Sequence, residues 1–333
     1  MKTSSIGAYK MSILIVGGAG FIGSHLVDFY LNLNKTVIAV DNLTTGKLDN
    51  ISQHLNNPNF KFYQADLLDW SDLDRVLDNC ELIYDVAAVV GMFYILERPI
   101  ATLNVNINLT ERLLAAISKL KNKPTIIIAS SSEVYGSKPS AMKETDVLQI
   151  ETTQKAHSNY PISKLCNEVA GLAYYKEKQV PAIIVRIFNT VGPRQSARYG
   201  MVLPRFINQA LNNEPITIFD DGQQTRSFAD VRDVCNIFHQ LAMTDKSVGE
   251  IINVGNDNAT IIIELAELVK KLTQSASPFV FQKHDEVYGK EYINIQNRKP
   301  DLTKLKSLIN FSMKWKLEDT IKDMIDVEAN RVR

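Results

Sequence analysis

The chain has 333 residues with 37 Lys+Arg against 37 Asp+Glu, 45% hydrophobic and 22% charged, proportions of one large or two fused globular units at ~100–200 residues each. Zero net charge gives no electrostatic case for nucleic acid or an anionic membrane, whose nonspecific binding needs an excess of Lys and Arg. No apolar run reaches the ~18 residues that span a bilayer and residues 1–10 lack a signal peptide's apolar core, so a cytoplasmic protein is expected.

Beyond a tail at 1–10, residues 11–191 read as strand and helix in alternation. Ile13-Leu14-Ile15-Val16 is an apolar run ended by glycines, and residues 23–33 then carry Leu26, Phe29, Tyr30 and Leu33 at helical spacing. Further β-rich runs follow at 36–40, 60–63, 82–86, 125–129 and 182–185, with helical stretches at 72–77 and 105–120. Strands that are apolar throughout are buried on both faces, which predicts an α/β fold with a doubly wound parallel sheet of the Rossmann type. After about Gly192 the rhythm loosens. Helices at 201–212, 230–243, 261–272 and 317–327, with short strands at 217–219 and 250–254, predict a smaller C-terminal α+β region over 192–333. No Gly/Ser or Pro linker separates the halves, so the second is expected to pack on the first. Cys80, Cys166 and Cys235 are far apart and odd in number, which suits neither a disulfide framework nor a metal motif.

The strongest motif is Gly17-Gly18-Ala19-Gly20-Phe21-Ile22-Gly23, after a buried strand and opening a helix. There, glycine backbone can approach a pyrophosphate held at the helix N-terminus. Asp41 follows the second strand, 18 residues beyond Gly23, where a carboxylate accepts hydrogen bonds from adenosine ribose hydroxyls. The same charge repels a 2′-phosphate, and Asn42-Leu43-Thr44-Thr45 supplies no Arg to offset it, so NAD is expected over NADP. Asp66, after the third strand, reaches toward the adenine or else caps a helix. His25 is read as a surface or internally satisfied residue.

A second constellation is Tyr160-Pro161-Ile162-Ser163-Lys164. Tyr and Lys four apart share a helix face, so the ammonium can lower the phenol's pKa and hold a nicotinamide ribose. The phenolate then takes a proton from a sugar hydroxyl during oxidation. Ser130-Ser131-Ser132-Glu133 ends a buried strand and brings a hydroxyl to the same point. Pro161 starts the helix beside Tyr160.

With these motifs the sequence resembles the extended short-chain dehydrogenase/reductase family, in its nucleotide-sugar epimerase, dehydratase and decarboxylase group. The resemblance runs from about Ser12 to the C-terminus. It rests also on Ser-Ser-Glu-Val-Tyr-Gly at 131–136, Arg-Ile-Phe-Asn-Thr-Val-Gly-Pro-Arg at 186–194 and Asp-Gly-Gln-Gln-Thr-Arg-Ser-Phe at 221–228. It implies Tyr160 as base, Lys164 as its electrostatic partner, and Ser131 bonded to the reacting sugar oxygen, with Ser132 beside it. Asn189, Arg226 and Arg298 are implied as contacts to the diphosphate of a UDP-sugar, for which Arg supplies paired hydrogen bonds. Cofactor contacts are expected from Gly17, Gly20, Phe21, Ile22, Gly23, Asp41, Asn42, Asp66, Leu67, Ala87, Ala88, Asn106 and Ser130, besides Tyr160 and Lys164. Residues 11–191 then form the NAD-binding domain with the catalytic residues, and 192–333 a mainly nucleotide-sugar-binding region. The family's helices at 106–120 and 160–175 pair across a homodimer.

The sequence departs from the family in two places. Leu109 stands where an Asn-x-x-Gly-Thr glycine is usual, and Ala87-Ala88-Val89-Val90-Gly91-Met92 lacks a proline-rich loop common in UDP-glucuronate decarboxylases, resembling the epimerase version. Members oxidise carbon 4 of the sugar first and then diverge. Glu133, implied to act near carbon 5, points to decarboxylation; the Ala88–Met92 loop points to 4-epimerisation; Ser132 weakly disfavours 4,6-dehydration. Decarboxylation is slightly favoured. The alternative for Glu133 is that it only forms a salt bridge or orders the loop, and the rival of another class is a dinucleotide-binding sensor or scaffold without catalysis.

Overall fold

A computed structural model describes residues 11–137, 140–150, 152–197, 201–283, 286 and 297–332. The first half contains β1 (Ser12–Val16), α1 (Phe21–Asn32), β2 (Thr36–Asp41), β3 (Phe60–Gln64), α2 (Leu73–Leu77), β4 (Cys80–Asp85), α3 (Met92–Glu97), α4 (Pro99–Ser118), β5 (Thr125–Ser131), α5 (Asn159–Lys178) and β6 (Ala182–Ile187). The second contains β7 (Thr190–Val191), α6 (Val202–Leu211), β8 (Ile216–Phe219), β9 (Thr225–Ser227), β10 (Ala229–Asp230), α7 (Val231–Ala242) and β11 (Ile251–Val254). It continues with β12 (Ala259–Ile261), α8 (Ile262–Thr273), β13 (Phe279–Gln282), β14 (Asn297–Arg298), α9 (Thr303–Leu308) and α10 (Leu317–Val332).

A seven-stranded parallel sheet runs in the order β11-β6-β5-β4-β1-β2-β3. Its unbroken Ile/Val/Leu strands follow from burial on both sides. Ile13 and Ile15 face one core with Leu26 and Tyr30 of α1 and Val234 and Phe238 of α7. Leu14 and Val16 face the other with Leu113 and Ile117 of α4. The period-2 alternation of a strand thus serves two helical layers, the physical content of a doubly wound Rossmann-type fold.

Ile251–Val254, which the sequence pattern groups with the smaller region, instead pairs with β6 and closes the large sheet's edge. The helix preceding it, α7, packs in the same core as α1. The four-residue strand Ile251-Ile252-Asn253-Val254 carries no periodic signal long enough to reveal its partner. A separate core, with Phe206 and Ile207 of α6, Ile216 and Ile218 of β8, Leu265 of α8 and Ile321 of α10, holds the smaller layer together. All three cysteines are free thiols, Cys80 and Cys235 buried and Cys166 exposed. Among the described residues no helix is long and apolar enough to cross a membrane.

Candidate active site

A cleft of about 620 Å³ opens along the carboxyl ends of the parallel strands. In an open α/β sheet that is where ligands bind, at the point where strand order reverses, here between β1 and β4. Gly17 leaves β1, Asp41 ends β2, Ala87 follows β4, Ser130 and Ser131 end β5, and Asn189 follows β6; all line the cleft.

At one end the glycines are dictated by contact. Gly17 has φ +83°, and a Cβ there would lie 2.8 Å from the Ala87 Cα; a Cβ at Gly23 would lie 2.0 Å from the Gly17 carbonyl oxygen. The turn therefore seats α1's N-terminus against β1 and β4, with Phe21 and Ile22 in the wall. Asp41 Oδ2 accepts from the Ala19 amide at 3.0 Å and Oδ1 from the Leu43 amide at 2.8 Å. Burial pushes its carboxyl up, and the backbone amides of Leu43, Ala19 and Gly20 oppose that shift. Asn42 Nδ2 donates to Asp66 Oδ2 at 3.0 Å, and Asn42, Asp66 and Leu67 continue the wall without any Lys or Arg. An amide-lined turn at a helix N-terminus with a carboxylate beyond it fits a dinucleotide's pyrophosphate and adenosine ribose.

At mid-cleft α5 presents Tyr160 and Lys164. Tyr160 is the second helical residue and Pro161 the third, where a missing N–H costs no intrahelical bond. Lys164 is buried, its Nζ donating to the Ala129 carbonyl at 2.8 Å and lying 6.0 Å from the Tyr160 ring centroid. Burial lowers its pKa, while the Asp85 and Glu168 carboxylates oppose the shift. The phenol differs from the sequence expectation. Burial, and then the Glu133 charge, push its pKa up, whereas its Ser131 hydrogen bond and the Arg298 charge pull it down.

Ser131, Ser132 and Glu133 also line the cleft, and the Glu133 amide donates to Ser131 Oγ at 3.2 Å, capping the short turn that follows β5. Arg298 Nη1 lies 3.6 Å from Glu133 Oε1, and its charge bears on the Tyr160 phenol. Its buried Nε has no hydrogen-bond partner among the described residues. Arg226 is its register neighbour across the β14–β9 pairing and also lines the cleft, as does Asn189, whose Nδ2 donates to the Ser227 carbonyl at 3.3 Å.

Asn106 is the exception among the expected contacts. It lies behind the wall, Oδ1 accepting from the Val89 amide at 2.7 Å and Nδ2 donating to the Val89 carbonyl at 3.2 Å and to Ser163 Oγ at 3.2 Å. An amide that satisfies both backbone groups of one residue has little capacity left for a ligand; it ties the Ala88–Val90 loop to α4 and α5 instead. Leu109, in place of the family's glycine, packs into the core below and lines the cleft. His25 is buried with Nδ1 against the Phe21 carbonyl at 3.0 Å; burial and the Arg194 charge push it down to about 4. The cleft also includes Arg205, Phe219 and Gln224, which the sequence reading missed. Arg205 sits in an amphipathic helix where a charge at that spacing reads as solvent-facing.

Comparison with known proteins agrees with this geometry. A model described as the NAD dependent epimerase/dehydratase family matches residues 13–255. The chain belongs to the NAD dependent epimerase/dehydratase family. It is 35% identical over 324 residues to a UDP-N-acetyl-alpha-D-glucosaminuronate decarboxylase of Bacillus cytotoxicus, covering 96% of this chain and 99% of the relative. It is 31% identical to UDP-glucuronic acid decarboxylase 4 of Arabidopsis thaliana, covering 97% and 69%. Among solved structures, a Bacillus cereus UDP-glucuronic acid 4-epimerase in complex with UDP-glucuronic acid and NAD superposes with TM-score 0.84 at 28% identity, over 96% of this chain and 100% of that one. The match to the NAD dependent epimerase/dehydratase family ends before Arg298, which lines the cleft from outside the matched span.

Proposed function

We propose that the protein binds NAD, oxidises carbon 4 of a UDP-hexuronate and then removes the sugar's carboxyl group as carbon dioxide. The Glu133–Arg298 pair beside Tyr160 carries this reading. A guanidinium at the reacting end matches a sugar with a carboxylate next to carbon 4, and a buried arginine with an unfilled donor favours an anionic ligand. The identity to a hexuronate decarboxylase over nearly the whole chain supports it.

NAD, when bound, supplies reversible oxidation at carbon 4. Tyr160 takes the proton of the carbon-4 hydroxyl while Ser131 bonds the same oxygen. Lys164, through its buried charge, orients the ribose side. The resulting ketone is β to the carboxylate, so the carbon 5–carbon 6 bond breaks with its electron pair passing to an enolate on oxygen 4. That negative charge is stabilised by the protonated Tyr160 and by Ser131. Arg298 holds the carboxylate, and the Glu133 charge favours its departure as a neutral molecule. Carbon 5 then takes up a proton from solvent, and return of hydride to carbon 4 with the Tyr160 proton going back to oxygen 4 would give the pentose and leave the cofactor oxidised again. Asn189 and Arg226 hold the diphosphate, and 192–333, which supplies Arg226 and Arg298, serves mainly the nucleotide-sugar side. Ile100 and Val169, 75% and 68% exposed on α4 and α5, support pairing of these helices in a homodimer.

A UDP-hexuronate 4-epimerase is the second reading, favoured by the Ala87–Met92 sequence and by the likeness to an epimerase solved with UDP-glucuronic acid. The test is to offer UDP-glucuronate, UDP-N-acetylglucosaminuronate and UDP-glucose separately with NAD and identify products by mass. The expected product from a uronate lacks one carbon dioxide; unchanged mass with inverted carbon 4 would replace decarboxylation by epimerisation.

Cofactor choice is a second expectation. Asp41 lies at the adenosine end, where no Lys or Arg among the described residues lines the cleft, so NADP should bind at least ~10²-fold more weakly than NAD, since like charges brought together cost several kcal/mol. Equal affinities in calorimetry would contradict this role for Asp41.

A further inference from the structure

We propose that Asn253 is a positioning residue that sets Arg298 against Glu133. This rests on the decarboxylase reading for its substrate, though its geometry stands apart from the cleft. Asn253 is fully buried near the end of β11 and does not line the cleft. Its Oδ1 accepts from the Tyr135 hydroxyl at 2.7 Å, and its Nδ2 donates to the Met142 carbonyl at 2.9 Å and to the Asp301 carbonyl at 3.2 Å. Its backbone amide donates to Glu144 Oε1 at 2.8 Å. One side-chain amide therefore joins three separate segments. Tyr135 closes the short turn that carries Glu133, and Asp301 lies three residues after Arg298. Met142 bridges them, its amide donating to the Lys299 carbonyl at 2.9 Å and its carbonyl accepting from the Asp301 amide at 2.8 Å.

The other side of the Tyr135 ring is held as well. The Arg186 guanidinium lies 4.7 Å from the ring centroid and is fixed bidentately by Glu168 at 2.9 and 2.7 Å. Glu168 also accepts from Ser130 Oγ, next to Ser131. A fully satisfied buried network of this kind is rigid, and its members are held to one geometry. The 3.6 Å separation of Arg298 and Glu133 thus depends on Asn253, although these three residues are far apart in sequence.

Asn253→Asp keeps the shape and the acceptor for Tyr135 but turns the paired donor into an oxygen facing two carbonyls. NAD retention and carbon-4 oxidation should persist. The following step should slow about 10–10²-fold, the effect of a misplacement near 1 Å, so that reduced cofactor accumulates relative to product. Tyr135→Phe, which removes a single hydrogen bond of the network, should move the same ratio in the same direction by less and guards against a misfolded Asp variant. A merely structural role would lower oxidation and product formation together, with the ratio unchanged; that result, or two unaffected steps, would overturn the proposal. Carbon dioxide release by the unaltered protein reports separately on the underlying reading. If it is absent, that reading fails, while Asn253 is still judged by the ratio of reduced cofactor to whichever product forms.

Discussion

Tyr160→Phe should reduce turnover of a UDP-hexuronate by about 10²–10⁴-fold, the range contributed by a general base, with NAD still bound. The reason is local: Tyr160 lines the cleft, and Ser131, Glu133 and Arg298 all bear on its phenol. Stopped-flow measurement of cofactor reduction checks it, and a variant that reduces NAD at the native rate would remove Tyr160 from the role. The charges around it predict a pH signature. A base works deprotonated, so the rate of oxidation rises as pH passes the phenol's pKa. Glu133 raises that pKa, so Glu133→Gln should move the acid limb to lower pH; Arg298 lowers it, so Arg298→Met should move the limb to higher pH. Limbs that stay in place in both variants would show that another group titrates.

Arg298→Met should lower kcat/KM for a UDP-hexuronate by about 10-fold or more, since a hydrogen bond to a charged group contributes roughly 1.5–3 kcal/mol. Affinity for UDP alone should change less, because Arg298 lies 3.6 Å from Glu133 and its charge bears on Tyr160. Isothermal titration with UDP separates the two assignments: an equal loss of UDP affinity would return Arg298 to the phosphates. Glu133→Gln completes the pair, sparing carbon-4 oxidation but slowing the next step so that reduced cofactor builds up.

Much of this site was legible in the residues. The glycine turn, Asp41 and the Tyr160/Lys164 pair are local signals, each produced by a spacing of a few residues on one strand–helix unit, and the cleft brings them together. Other features were not. Asn106 sits at the expected point in α4, yet its amide is consumed by Val89, a partner chosen by loop packing. Arg205 reads as a solvated helix residue until α6 is laid against the cleft. The phenol's raised pKa depends on burial and on Glu133, neither visible in the Tyr-x-x-x-Lys pattern.

The sequence by itself determined the parallel sheet, through apolar runs that need two covered faces, and the cofactor end of the site, through glycines whose Cβ would collide with the backbone. Only the tertiary structure decided where the second half attaches and what faces the sugar. β11 joins the large sheet, and the two-residue strand β14 pairs with β9 to deliver Arg298 beside Glu133. Strands this short have no periodicity to read, and the bonds around them, such as those of Asn253 to the Met142 and Asp301 carbonyls, form between segments distant in the chain.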